Sequence, residues 1–187
     1  LENSTLMCSE LDPETHYPID QKIFSFRYAH QGPISGVVAL PHHLLTAGYD
    51  GYVRIWQYTP YLSYVTKIDC GNDKVTAIAS SIGGNLVAIG TQTGLLRIIN
   101  TQDASQPVLL FRERLHNVAV SAITISPYFI VSGSVNGSLV ILQNDPLNVF
   151  PLIGLYQMKT TIVSLASPPP LGNAQQLLIA TSHREVI

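Results

Sequence analysis

Short runs in which apolar residues alternate with polar or small ones recur along the chain, interrupted roughly every 8–12 positions by Gly, Pro, Asn or Asp. A period of two places successive side chains on opposite faces of an extended backbone, so each run predicts a β-strand. Residues 44–48 and 52–58, 86–90 and 95–100, and 129–133 and 138–143 read as the arms of three hairpins. Their turns are Asp50-Gly51, Thr93-Gly94 and Asn136-Gly137, where glycine supplies a positive φ at no steric cost. Val65-Thr66-Lys67-Ile68 and Val108-Leu109-Leu110-Phe111 predict a fourth, outer strand beside the first two hairpins. No segment carries a helical period, and the expected fold class is all-β.

The three turns are equivalent members of a repeat. Gly51, Gly94 and Gly137 are spaced 43 residues apart. A second marker precedes each turn in the same order: Ile34-Ser35-Gly36-Val37, Val75-Thr76-Ala77-Ile78 and Val120-Ser121-Ala122-Ile123, with a further copy at Ile162-Val163-Ser164-Leu165. The repeats run approximately 23–58, 65–100, 107–143 and 150–187, the last incomplete. The leading stretch 1–22 contains Ser9-Glu10-Leu11-Asp12-Pro13-Glu14 and reads as a polar linker or an insertion between blades, followed by an outer strand at Ile23-Phe24-Ser25-Phe26-Arg27.

Four strands in about 40–45 residues, with turns of this kind, resemble the WD40 repeat of β-propellers. The residues carrying the likeness are Ala29-His30 and Leu44-Leu45-Thr46-Ala47-Gly48-Tyr49-Asp50-Gly51-Tyr52-Val53-Arg54-Ile55-Trp56. They depart from the family pattern where Ala-His replaces Gly-His and Trp-Gln replaces Trp-Asp. The resemblance implies a hydrogen-bonded relay of His30, Thr46, Asp50 and Trp56 that satisfies polar groups inside one blade. In the third copy it implies His116, Ser132 and Asn136, with Leu142 in the Trp place. The second copy has Gly71, Ile89, Thr93 and Ile99 at the four places, so no relay is expected there. Propellers of this family usually have seven blades and remove their exposed edges by joining the last blade to the first. With about four repeats, this sequence is expected to be part of a longer ring, its other blades contributed by the rest of the protein or another chain. A four-bladed ring is the rival arrangement.

Composition narrows the function classes. Hydrophobic residues make up 46% and charged residues only 12%, which excludes a disordered charged tail. The net charge of −2 does not mark the chain as a binder of phosphate or membrane surfaces. Cys8 and Cys70 lie far apart, with no disulfide framework or zinc spacing. There is no signal-peptide pattern and no apolar run of the roughly 18 residues a membrane helix needs, so membrane insertion is not expected. We expect an intracellular chain, cytoplasmic or nuclear.

The remaining candidates for chemistry are weak. His30, Thr46 and Asp50 superficially resemble a hydroxyl–His–Asp triad but coincide with the packing relay, and no nucleophile elbow accompanies them. His42 and His43 are adjacent and would face opposite sides of a strand, which makes them poor joint metal ligands. No catalytic residue, metal or cofactor is expected. Tyr49 immediately precedes the relay Asp, a position that in this family faces the surface where partners dock. The matching places are Gln92, Val135 and His183, and Tyr61 is a further aromatic candidate. Arg54 and Arg97 share a strand position, and Arg112 and Arg114 alternate on an outer strand, forming a modest basic stripe. The expected function is a non-enzymatic scaffold for protein–protein interactions within a larger multisubunit assembly. The alternative is a propeller that recognises nucleic acid or a modified peptide.

Overall fold

The architecture follows from the way each inner strand meets the next. In the computed structural model, which describes residues 4–145, 147, 149–168 and 176–182, the strands are β1 (Ser4–Leu11), β2 (Pro18–His30), β3 (Ile34–Ala39), β4 (His43–Gly48), β5 (Tyr52–Gln57), β6 (Ser63–Asp69), β7 (Val75–Ser80) and β8 (Leu86–Thr91). They continue with β9 (Leu95–Asn100), β10 (Val108–Arg114), β11 (Val120–Ile125), β12 (Phe129–Ser134), β13 (Ser138–Gln143), β14 (Leu152–Gln157), β15 (Thr161–Ala166) and β16 (Leu178–Ser182). There is no helix among the described residues. Three antiparallel four-stranded sheets form in chain order: β3-β4-β5-β6, β7-β8-β9-β10 and β11-β12-β13-β14. The pairs β1-β2 and β15-β16 flank them. Strands β3, β7, β11 and β15 pack successively against one another, so the sheets are blades around a common axis.

The apolar residues of the alternating pattern are buried between neighbouring blades. Leu45, Val53 and Ile55 of the first blade meet Val75, Val87 and Ile89 of the second. Leu96 and Ile98 meet Ile123, Ile130 and Val140 across the next junction. Val131 and Leu139 then meet Ile162 and Leu165. The arrangement is a partial ring of blades; among the described residues β16 and β1 do not pair.

Two features depart from the sequence reading. The stretch 1–22, expected as a linker or insertion, contains β1 and the start of β2, which pair in register from Ser4↔His30 to Leu11↔Pro18. Asp12 closes this hairpin by accepting hydrogen bonds from the amides of Glu14 and Thr15, so the polar residues form a turn. Leu6 and Ala29 pack with Trp56 and Leu62 and tie the hairpin to the first blade. The sequence repeats are also offset from the sheets by one strand. β6 opens the repeat at 65 but bonds to β5, and β10 likewise bonds to β9, because the chain crosses to the next blade only after its outer strand.

The 43-residue spacing has a steric cause. Gly51, Gly94 and Gly137 have φ of 81, 84 and 86°. At each, a Cβ would collide with a backbone carbonyl of the segment leading into the next blade: Gly71, His116 and Met158 respectively. The carbonyl of Gly51 accepts from Cys70 N at 2.9 Å, that of Gly94 from both Leu115 N and His116 N at 3.2 Å, and that of Gly137 from Met158 N at 2.8 Å. One residue per repeat thus both turns a hairpin and receives the chain entering the next sheet.

Candidate functional site

In the first blade, the end of β2 brings His30 beside Thr46 on β4, Asp50 in the turn and Trp56 on β5. Trp56 Nε1 donates to Thr46 Oγ1 at 2.9 Å, and Thr46 Oγ1 lies 2.8 Å from His30 Nε2. His30 Nδ1 lies 2.9 Å from Asp50 Oδ1. The neutral imidazole with its proton on Nδ1 gives a continuous chain, Trp56 to Thr46 to His30 to Asp50. The Gln31 amide and Arg54 donate to Asp50 Oδ2 at 3.0 and 2.8 Å. Burial pushes the Asp50 carboxyl up, but the hydrogen bonds from His30, Gln31 and Arg54 outweigh it and hold the group at about 2. Burial also lowers the His30 pKa, against the opposing pull of Asp50. Arg54, read from the sequence as part of a basic stripe, instead joins this network from β5, four residues after Asp50.

The third blade keeps half of the arrangement. His116 Nε2 lies 2.8 Å from Ser132 Oγ, while Nδ1 faces Ser138 Oγ at 3.2 Å. Asn136, placed by resemblance in the relay, instead accepts from Ser134 Oγ at 2.6 Å and from the Ser138 amide. The neutral amide lacks the carboxylate charge that draws the imidazole in the first blade, and two local donors claim its oxygen. Burial lowers the His116 pKa to about 4. In the second blade, Ile89 and Ile99 are buried where Thr46 and Trp56 stand in the first, and Gly71 occupies the His place.

The loops β4–β5, β8–β9 and β12–β13 all lie at one end of the blades. Tyr49, Gln92 and Val135 converge there around a cavity of about 310 Å³, lined also by Lys74, Thr76, Ala119, Val120 and Ser121. Tyr49 and Val135 are 42% and 43% exposed, a large fraction for apolar or aromatic side chains. Lys74 Nζ sits 5.5 Å from the Tyr49 ring centroid. His183 lies outside the described residues. Tyr61 is exposed in the β5–β6 loop at the opposite end, so the structure separates it from the other three.

The second sequence marker also acquires a role at this axis. Thr76 Oγ1 donates to Gly90 O within its own blade at 3.3 Å and to Val120 O of the next at 2.7 Å. Ser121 Oγ donates to Gly133 O at 3.3 Å and across to Ile162 O at 2.5 Å. At these two junctions the hydroxyl in the second marker position joins consecutive blades, whereas Ser35 bonds within its own blade to Ala47 O at 3.2 Å.

Further aromatic side chains of the first blade are used in packing. The Trp56 ring lies 4.9 Å from Phe26 and 5.7 Å from Tyr64, and Tyr58 Oη donates to Pro41 O at 2.6 Å. No cluster of three or more His, Cys, Asp or Glu suited to a metal occurs among the described residues. No helix among them is long and apolar enough to cross a membrane.

Comparisons with known proteins agree with this geometry. The family model "WD domain, G-beta repeat" (WD40) matches residues 21–57, the segment that carries the complete relay. The structure superimposes on a chain of the mitotic checkpoint complex with a TM-score of 0.73 at 14% identity, covering 94% of this chain and 52% of that one. Residues 21–57 match a WD40 repeat, and the blades share the fold of WD40 propellers. Similar WD40-repeat geometry recurs in the crystal structure of the RRP9 WD40 repeats (TM-score 0.63, 19% identity, 73% of this chain and 42% of that one). Sqt1 of Saccharomyces cerevisiae gives a TM-score of 0.73 at 14% identity, over 87% of this chain and 48% of that one. In sequence, the chain is 32% identical over 113 residues to cilia- and flagella-associated protein 43 of Chlamydomonas reinhardtii, covering 52% of this chain and 6% of that protein. It therefore spans a small part of that relative and about half of these solved chains. WD40-repeat domains generally serve as protein-interaction scaffolds.

Proposed function

We propose that this WD40 segment is a non-enzymatic scaffold that docks protein partners on its Tyr49–Gln92–Val135 end, inside the cell and within a larger multisubunit assembly. The observation that carries this reading is the convergence of one exposed residue from each of three successive blades on a single concave opening. Tyr and an adjacent apolar side chain around a desolvatable cavity are the composition of a protein-binding hot spot. The polar groups with unusual environments, by contrast, are spent on one another: Asp50 and His30 bond together, and His116 bonds to two hydroxyls. The likeness to cilia- and flagella-associated protein 43 supports an assembly associated with cilia and flagella.

The test is a quantitative affinity purification of the protein from ciliated cells in three forms: unaltered, Tyr49→Ala/Val135→Glu, and Ile82→Ser at an exposed site of the opposite end. A defined set of partners should be lost from the double variant and retained by Ile82→Ser. Identical partner sets in all three would overturn the proposal.

A further inference from the structure

The second blade has lost its relay in a way that leaves a charge without a partner. In the first blade Arg54 reaches the Asp50 carboxylate at 2.8 Å. Arg97 holds the matching position on β9, but Thr93 stands where the carboxylate would be. Arg97 is only 9% exposed, and its guanidinium donates to two main-chain carbonyls, Asp69 O at 2.7 Å and Cys70 O at 3.1 Å. Its Nε is buried with no hydrogen-bond partner. Among the described residues it forms no ion pair. A buried cation neutralised only by dipoles is costly, and a counter-ion would relieve that cost.

The same substitutions leave room for one. Gly71 stands in the place of the relay His, and a Cβ there would meet no atom within 4 Å. The vacated space is part of a groove of about 570 Å³ whose lining includes Lys74, Arg97, Arg112 and Arg114. Arg112 and Arg114 are exposed and form no ion pair with a described residue. The acidic side chain in the lining, Asp73, is engaged by Thr93, which bonds to it through both its amide and its hydroxyl. Asp69 nearby accepts from the Gly71 amide. Cys70, also in the lining, is held as the neutral thiol because burial pushes its pKa up to about 11. Four cations thus face one groove against a single, already bonded carboxylate.

We infer that this groove receives an oxyanion borne by a peptide segment of a protein partner, which completes the charge pairing that Asp50 provides within the first blade. The inference rests on the scaffold reading for the nature of the ligand but turns on Arg97, Arg112 and Arg114, which do not line the Tyr49 cavity, while Lys74 and Gln92 border both. A carboxylate and a phosphate group share the required chemistry, both accepting charge-assisted hydrogen bonds from guanidinium groups.

The test is an amide NMR titration of the full chain with a short Gly/Ser peptide carrying a central phosphothreonine, the same peptide with Glu, the same peptide with unmodified Thr, and a single-stranded oligonucleotide. Saturable shifts at Gly71, Asn72, Thr93 and Gly94 are expected with the phosphorylated or the Glu peptide and not with the Thr peptide; which of the two binds more tightly distinguishes phosphate from carboxylate. Thr93→Asp restores the internal carboxylate at an exposed turn and should weaken binding about tenfold. Arg112→Gln/Arg114→Gln, on an exposed strand face, should weaken it severalfold and flatten its salt dependence. The inference is overturned if no anionic peptide gives saturable shifts at these amides, if both variants bind as the unaltered chain does, or if only the oligonucleotide binds. Because Tyr49 and Val135 do not line the groove, lost anion binding with retained Tyr49-dependent partners separates failure here from failure of the scaffold reading.

Discussion

The first and second blades share strand order, turn geometry and core placement, yet their interiors are organised by different physics. In the first, Trp56, Thr46, His30 and Asp50 form a closed polar chain between strands that are otherwise apolar. In the second, Ile89 and Ile99 fill the Thr and Trp positions and the imidazole is absent. The third stands between them: His116 and Ser132 remain bonded, but Leu142 replaces the Trp donor. A buried polar network is stable when every member is satisfied, and its loss is tolerated when the neighbouring members become apolar together. What all three blades retain is the turn glycine and the carbonyl it admits, so backbone geometry rather than the relay defines the repeat.

The comparison can be broken hardest at that shared feature. Gly94→Val puts a β-branched residue at a φ of 84° against the His116 carbonyl, and a loss of about 3 kcal/mol or more is expected in chemical denaturation. A cost below that of an ordinary surface change would show that the turn is not a steric constraint.

Acidification separates the third blade from the second. His116 titrates at about 4 in the folded chain, against an ordinary value of 6.5, because burial disfavours its cation. The unfolded chain therefore takes up the proton first, and stability falls as pH is lowered from about 6.5 to about 4, by a total on the order of 3 kcal/mol from this group. His30 acts in the same direction. Asp50 contributes only at lower pH, its stabilisation being lost between 3.8 and about 2. Denaturation midpoints measured across this range should show a shallower slope for His116→Gln; an unchanged slope contradicts the assignment.

A smaller effect distinguishes the two kinds of interior directly. Thr46→Val strands Trp56 Nε1 and the imidazole of His30 and should cost about 2 kcal/mol. Ile89→Val, at the matching place in the second blade, should cost about 1 kcal/mol as a simple loss of packing. Equal costs would mean that the first relay adds nothing beyond volume. The smallest expected effect on stability is that of Tyr49→Ala, under about 0.5 kcal/mol because the side chain is half exposed, while its effect on partner retention should be large.

Much of this was legible in the sequence because strand pairing obeys local rules. Alternation located β4, β5, β8, β9, β12 and β13 to within about a residue or two, and the spacing of Gly51, Gly94 and Gly137 revealed the repeat. The β1–β2 hairpin was missed because Asp12-Pro13-Glu14-Thr15 has the composition of a linker, and only its pairing with β2 distinguishes a turn from a tether. Asn136 was placed in the relay by analogy with Asp50, but its neutral amide is captured by Ser134 and Ser138. The basic groove was legible only in part: Arg97, Arg112 and Arg114 read as a basic stripe, but not the open space at Gly71 beside them. Gly71 and Lys74 lie in the β6–β7 loop and Arg97 and Arg112 on the paired strands β9 and β10, and only the path of that loop into the second blade brings them together.

The central claim is that three 43-residue units form equivalent blades joined through their turn glycines. Scalar couplings across hydrogen bonds in a labelled sample test it most directly. The account predicts couplings to the carbonyls of Gly51, Gly94 and Gly137 from the segment entering the next blade: from Cys70, from Leu115 and His116 together, and from Met158. Couplings from those amides to unrelated carbonyls, or a turn glycine whose carbonyl couples to no amide of the segment entering the next blade, would contradict it.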